Sequence, residues 1–319
     1  MGQNGAGKTN LLESLHVGTQ GFSPRTRSDA QLIRFGTQAA AIGIEGTRGG
    51  ISTTLRVRLS ATEPKRAELN GARLESSELL RREVSTLVFT PDRLAVVKGG
   101  PAARRAYFDR VLGRLLPARA GLPQEYLAAL AQRNAGLRRV QMGYAERTSL
   151  EPWTARLAEL GAALTASRSE TLAALGPGFA ERAGELGLPL AQLGYDAEAP
   201  TAEQLEARLQ IDLDRGATGL GPHLDDILVA SGDRDLRRFG SQGEQRLAVL
   251  SLLLAEAELL PVRPLLLLDD VLSELDAGRR RTLGARIAEA GQTVVTATEA
   301  SALPFEPAQV VHVEPGNAS

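Results

Sequence analysis

The stretch that most constrains this chain is GQNGAGKT, Gly2 to Thr9, which fits the phosphate-binding loop GxxxxGK[ST] at every fixed position. Glycines at 2, 5 and 7 permit left-handed backbone angles and close approach to phosphate oxygens, so successive amides can converge on an anion at a helix N-terminus. Gly2, Gln3, Asn4, Gly5, Ala6, Gly7, Lys8 and Thr9 are therefore the expected nucleotide-binding set. Lys8 is read as neutralising the β and γ phosphates of a nucleoside triphosphate, and Thr9 as a hydroxyl ligand of Mg²⁺. Leu11, Leu12 and Leu15 give the following helix an apolar face that fixes it against a sheet. Only Lys8, Lys65 and Lys98 are lysines among 37 Lys plus Arg, so Lys8 does not occupy its motif by chance.

Such a loop ordinarily leaves the end of a buried strand, yet only Met1 precedes Gly2. The expectation is that Met1 stands at an internal start codon and that a few tens of upstream residues carry the strand. With 319 residues and 43% hydrophobic content the chain suits one large or two modest domains. It shows no secretory signal and no spanning stretch, which reads as cytoplasmic. Zero cysteines exclude disulfides and thiolate metal sites, and His16, His223 and His312 are too far apart in sequence to suggest a zinc site. Any metal is expected on oxygen ligands. A net charge of −1 does not announce a nucleic-acid binder, so contact with DNA would have to come from a local patch.

Between about 37 and 74 the pattern has period two, with Ile51, Thr53, Leu55, Val57 and Leu59 alternating with polar residues. Asn70-Gly71 marks a tight turn, so the spacing predicts an antiparallel layer. Leu87, Val88 and Phe89 predict a short strand closed by Pro91-Asp92. Gly99, Gly100 and Pro101 then break the chain before a helix bearing Arg104, Arg105 and Arg110. These arginines fit a solvated helix face, and Arg104 and Arg105 are also candidates for a DNA contact. From 101 to 210 helical spacing dominates and predicts an antiparallel arm too short for a long coiled coil, with Trp153 as a core anchor.

Three motifs close the chain. Residues 241 to 260, SQGEQRLAVLSLLLAEAELL, place a small polar cluster at the start of a strongly apolar helix, a second anion-binding N-terminus. Residues 264 to 270, PLLLLDD, read as a buried strand ending in two carboxylates: Asp269 to hold Mg²⁺ through water, Asp270 as the general base that polarises an attacking water. SELD follows at 273 to 276, and then a strand over 293 to 296.

This succession resembles an ATP-binding-cassette ATPase head. NGAGKTNLLES, VFTPDRLAVVKGGPAARRAYFDRVL, GPHLDD at 221 to 226, SQGEQR and LLLLDDVLSELD together resemble the RecF family of recombination mediators over nearly the whole chain. The resemblance implies an α/β fold: a P-loop NTPase head of ABC/SMC type, a mixed sheet with an antiparallel layer, and an inserted α-helical arm. Residues 1–100 and 211–319 would form the head and 101–210 the arm. It implies ATP and Mg²⁺ as cofactors, weak hydrolysis, and an ATP-dependent homodimer on DNA. In that dimer Ser241, Gln242, Gly243, Glu244 and Gln245 of one subunit close on the γ-phosphate held by the other. RecO and RecR are the implied protein partners at gapped or stalled forks. The sequence departs from the pattern at Leu224, where relatives usually carry Arg. Thr296-Ala297-Thr298 stand where a transporter has its switch histidine, and Asp92 stands in the place of a glutamine loop. A translocating ABC subunit is disfavoured by the long insert between Lys8 and Asp269, and the remaining rival is a DNA-binding protein with impaired nucleotide binding.

Overall fold

The computed structural model describes residues 1–26, 28–273, 275–299 and 303–318, apart from the side chains of Arg48, Glu78, Arg82 and Ala318. Its contacts divide it into two units, one of Met1–Arg93, Glu185–Gly187 and Leu253–Ser319, the other of Leu94–Gly184 and Leu188–Leu252. The second unit thus takes in 211–252 together with the helices of 101–184.

In the first unit α1 (Lys8–Gln20) leaves the glycine-rich loop. It is followed by β1 (Ala39–Arg48), β2 (Ile51–Ser60), β3 (Arg66–Leu69) and β4 (Ala72–Arg73), which pair antiparallel in that order. Two-residue turns set the register. Gly49 and Gly50 have φ of 55° and 82°, Asn70 and Gly71 of 49° and 81°, the left-handed pair that a right-twisted hairpin demands. The alternation read in β2 is realised: Leu55, Val57 and Leu59 are buried and cluster with Val17 of α1 and Leu80 of α2 (Leu80–Glu83). A Cβ added at Gly18 would lie 2.5 Å from Ile44 Cδ1, so helix and sheet meet closely there and a larger residue would require the Ile44 side chain to shift.

The other face of α1 covers a parallel sheet of β5 (Thr86–Phe89), β9 (Leu265–Leu268) and β10 (Thr293–Val295), in the order β10-β9-β5. Leu12 and Leu15 pack on Val88, Leu265, Leu267 and Val294. Leu266, Leu267 and Leu268 are 0% exposed, and truncating one to alanine would cost about 2–5 kcal/mol. Pairing on both sides and burial on both faces explain why LLLL reads as a continuous apolar run. α11 (Ala277–Ala290), capped by Asp276, connects β9 to β10, and the hairpin β11 (Val313–Glu314) and β12 (Asn317–Ala318) ends the chain.

In the second unit α3 (Ala95–Lys98) precedes α4 (Pro101–Leu115), which begins with proline as its sequence predicts. α5 (Leu122–Gln141) and α6 (Glu151–Glu185) are antiparallel. A Cβ on Gly161 would touch the Tyr126 ring, Arg133 bonds Thr154, and a Cβ on Gly136 would meet Leu150, so pairings advance along one helix as they retreat along the other. Leu112, Tyr126, Leu130, Leu157, Leu160, Leu164 and Leu205 form the core there. Trp153, expected as an anchor, is instead 38% exposed, because the buried stripe runs through Leu150, Thr154, Leu157 and Gly161 and leaves its position at the edge. Arg133, 0% exposed, takes the central place. Its guanidinium bonds Asp212, Thr218 and Thr154. Short helices α7 (Ala202–Ala207) and α8 (Leu209–Arg215) pack below. An antiparallel sheet of β6 (Ala191–Gly194), β7 (Leu228–Ser231) and β8 (Arg234–Asp235) leads into α9 (Leu236–Phe239). α10 (Gln242–Leu259) starts in this unit and ends in the other. Among the described residues no helix is long and apolar enough to cross a membrane.

Candidate functional site

The loop Gly2–Thr9 owes its shape to glycine in two different ways. Gly5 and Gly7 have φ of 83° and 106°, left-handed angles that favour glycine, and a Cβ at either would meet no protein atom within 4 Å. Gly2 is not left-handed. A Cβ there would fall 2.3 Å from Val313 O, so its requirement is closeness of chains. Met1 donates its ammonium to Val311 O and accepts from Val313 N at 2.7 Å, the bonding pattern of a parallel pairing across His312. Within the loop Ala6 N donates to Gln3 O at 3.2 Å. Lys8 folds back over the loop, its Nζ donating to Gly2 O at 2.5 Å and Gln3 O at 2.9 Å. The ammonium is thereby held over the concave backbone on which phosphates sit in loops of this kind.

Thr9, the second residue of α1, brings its hydroxyl to Asp269, 260 positions later, and donates to Oδ2 at 2.8 Å. Asp269 is 4% exposed. Its other oxygen, Oδ1, accepts from Thr296 Oγ1 at 2.7 Å, and Thr296 Oγ1 in turn accepts from Asp270 N at 2.9 Å. One buried carboxylate is thus held by two hydroxyls, one from the loop helix and one from the end of β10. Asp270 is exposed and left-handed, with φ of 49°, a conformation that Asp and Asn adopt more readily than other residues bearing Cβ. Among the described residues no three His, Cys, Asp or Glu side chains cluster as a self-sufficient metal site. Thr9 and Asp269 offer one hydroxyl and one carboxylate, a donor set that suits Mg²⁺ completed by phosphate oxygens and water. Asp92 has its carboxylate 3.9 Å from Arg25 Nε. Of SELD, Ser273 bonds Asp270 O, Asp276 caps α11, and Glu274 lies outside the described residues.

In the second unit Ser241 to Gln245 form the start of α10. Ser241 Oγ accepts from Glu244 N at 3.2 Å while Glu244 Oε2 accepts from Ser241 N at 2.8 Å, a reciprocal cap. Arg234 pairs with Glu244, and these donors hold the Glu244 carboxyl below its usual range, the Ser241 amide most. Gln245 is buried and donates to the carbonyl of Leu236. Gln242 and Gly243 are exposed.

The two motifs VKGGPAARRAYFD and GPHLDD form one hydrogen-bonded knot. Arg104 is 4% exposed and bidentate on Asp226, with further bonds to the carbonyls of Val97 and Gly99. This corrects its reading as a DNA contact: its charge is spent inside the unit. Arg105, half-buried, donates to Asp225 O at 2.5 Å. Arg168 bridges Asp109 and Pro222 O. Tyr195 donates to Asp225 Oδ2 at 2.6 Å, and burial with that bond pushes its hydroxyl up to about 12. His223 donates Nε2–H to Thr218 O and accepts at Nδ1 from Tyr126, and burial lowers its pKa. Leu224, in the middle of the motif, is 57% exposed. Arg168 and Tyr195 were not legible from the sequence, since neither lies in a motif.

The pattern of the RecF/RecN/SMC N terminal domain family matches residues 1–313. The DNA replication and repair protein RecF of Heliobacterium modesticaldum is 35% identical over 328 residues, covering 97% of this chain and 88% of its own. That of Anaeromyxobacter dehalogenans is 38% identical over 326 residues, covering 94% and 85%. Among solved structures, the recombination mediator protein RecF-ATP of the RecFOR pathway superposes with a TM-score of 0.86 at 25% identity, covering 100% of this chain and 89% of that one. The Smc head domain from Pyrococcus furiosus does so at 0.57 and 17%, covering 98% and 86%, a likeness of fold alone. The α/β head of ABC and SMC type expected from the motifs is the fold observed. With the family pattern and curated relatives spanning almost its full length, the chain belongs to the RecF family of DNA replication and repair proteins.

Proposed function

We propose that this chain is an ATP-dependent DNA-binding recombination mediator that dimerises on DNA and acts with RecO and RecR in gap and replication-fork repair. The observation that carries the reading is the convergence of Thr9, Asp269 and Thr296 at the mouth of a complete phosphate-binding loop. In this reading the loop amides and Lys8 bind the phosphates of ATP, and Thr9 and Asp269 hold Mg²⁺. The metal would neutralise charge developing on the γ-phosphoryl group. Asp270, exposed beside the metal pair at the end of β9, would orient the attacking water and take its proton, giving slow hydrolysis used for timing. Ser241 to Gln245 of a second copy would close on the γ-phosphate. The two exposed residues Gln242 and Gly243 at an otherwise capped helix start support that role. Arg105 remains a candidate for contact with the DNA backbone. The neighbours solved as RecF-ATP and within the RecFOR pathway support ATP as the nucleotide and RecO and RecR as partners.

The test is Lys8→Met. It should abolish binding of a fluorescent ATP analogue and ATP-driven dimerisation while leaving the melting temperature within about 2 °C of wild type, since Lys8 bonds only two loop carbonyls, one exposed and one part-buried. Unchanged nucleotide affinity would refute the loop assignment.

A further inference from the structure

The carboxyl edge of the parallel sheet carries a row of three polar side chains. Phe89 and Val295 are both level with Leu268. The next residues continue the ladder, with Asp269 N donating to Phe89 O at 2.9 Å and Thr296 N to Leu268 O at 3.0 Å. Thr90, Asp269 and Thr296 are therefore level with one another, and residues level across parallel strands share a face. That face is the one carrying Val88, Leu267 and Val294, which pack on Leu12 and Leu15 of α1. The row faces the helix whose first turn holds Thr9.

Two members of the row are satisfied. Asp269 accepts from Thr9 and Thr296, and Thr296 both donates to Asp269 and accepts from Asp270 N. Thr90 is the exception. It is 2% exposed and its Oγ1 has no hydrogen-bond partner. The deficit does not belong to the strand as a whole, because Thr86, four residues earlier on the same face, donates to Thr19 of α1 at 2.9 Å. A buried hydroxyl without a partner is unfavourable, and one level with a metal-type carboxylate is placed to receive a group that arrives with a ligand.

We propose that Thr90 belongs to the metal shell of this site: its hydroxyl hydrogen-bonds a water of the hydration sphere of nucleotide-bound Mg²⁺, on the opposite side of Asp269 from Thr296. Mg²⁺ sheds its waters reluctantly and keeps several when bound to phosphates, so such a site needs polar groups around those waters as well as direct ligands. Asp269 and Thr9 supply the direct or near-direct ligands, and Thr90 is the remaining buried polar atom of the row. The inference rests on the proposal that the loop binds ATP.

Thr90→Val keeps the shape and removes the hydroxyl, and Thr90→Ser keeps the hydroxyl. Calorimetric titration with a non-hydrolysable ATP analogue, with Mg²⁺ and with EDTA, should show equal metal-free affinity for all three proteins. The Mg²⁺ concentration for half-maximal enhancement should rise about fivefold to tenfold in the valine variant and return to near the wild-type value in the serine variant. Mn²⁺ titration followed by electron paramagnetic resonance should show the same loss in free-ion uptake. The melting temperature of the nucleotide-free valine variant should equal or exceed that of wild type, because an unpartnered hydroxyl is what it loses. An unchanged metal requirement in Thr90→Val, or a lowered melting temperature without nucleotide, overturns the inference. If wild type itself binds no analogue, the ATP reading has failed, a result distinguishable from the failure of Thr90 alone.

Discussion

Ser241 has one observed task and one proposed task, which a single substitution would confound and a series of three separates. Its hydroxyl caps α10 through Glu244 N, and its position at the helix start is where the γ-phosphate of a second copy would approach. Ser241→Ala removes the cap alone, a loss of about 1 kcal/mol, which lowers the melting temperature by roughly 2–4 °C in a domain of this size. The Glu244–Arg234 pair and the Ser241 N to Glu244 bond remain, so the loss should not exceed that. Ser241→Asp keeps the cap, since aspartate accepts from the same amide, but sets a carboxylate against the incoming phosphate. Two like charges about 4 Å apart at an effective dielectric near 20 repel by about 4 kcal/mol, roughly a thousandfold in dimer dissociation constant at about 1.4 kcal/mol per decade. Ser241→Arg loses the cap and adds a long side chain that obstructs closure. Light scattering with a non-hydrolysable analogue and thermal melting read the two effects independently. The alanine variant should melt lower and still dimerise; the aspartate variant should melt like wild type and stay monomeric. The arginine variant should melt lower and stay monomeric, and all three should bind ATP as monomers. An aspartate variant that dimerises with wild-type affinity refutes the shared phosphate, and an alanine variant that cannot dimerise assigns the effect to the cap.

Two further outcomes follow from particular geometries. Asp270→Asn should retain the left-handed turn and Mg²⁺-dependent ATP binding while slowing hydrolysis by about 10²–10⁴-fold, whereas Asp270→Ala should in addition lose about 1–2 kcal/mol for a φ of 49°; loss of ATP binding in the asparagine variant would make Asp270 a metal ligand. His223 is held neutral by burial, so its folded pKa lies below the ordinary 6.5. Protonation then favours the unfolded chain, and the stability this group contributes is fully present above about 6.5 and lost as pH falls below it toward the folded value. Denaturant melts between pH 7.5 and 5 should show a slope in that window that His223→Gln removes; an unaltered slope would place the pH dependence elsewhere.

The parts of the fold legible in the sequence are those written by local chemistry. The loop, the Asn70-Gly71 turn, the alternation of β2 and the apolar run before Asp269 each declare themselves within ten residues. What escaped reading depends on partners far along the chain. Arg104 looks like any arginine on a solvated helix until Asp226, 122 positions away, draws it inward. Trp153, expected as a core anchor of the arm, is left half-exposed by the phase of a 35-residue helix. Thr90 sits in the quoted stretch VFTPDRL without distinction, and its meaning depends on the register of three strands from opposite ends of the chain. A hydroxyl following an apolar strand, as Asp269 follows another, is the faint signal that was available.

The separation of Thr9 from Asp269 also bears on how the protein is made. The two are 260 positions apart, and at about 5–20 residues per second a ribosome takes roughly 13 to 52 s to pass from one to the other. From the time Phe89 is made until Leu268 follows it, 179 positions later and so roughly 9 to 36 s at that rate, Leu87, Val88 and Phe89, buried at 4%, 4% and 0% in the finished sheet, have no β9 to pair with and present an unpaired apolar strand edge to solvent. The nascent chain is therefore expected to be held by chaperones until its last fifth emerges. Release of the helical middle cannot rescue it, because the strand that completes the sheet is encoded after α10.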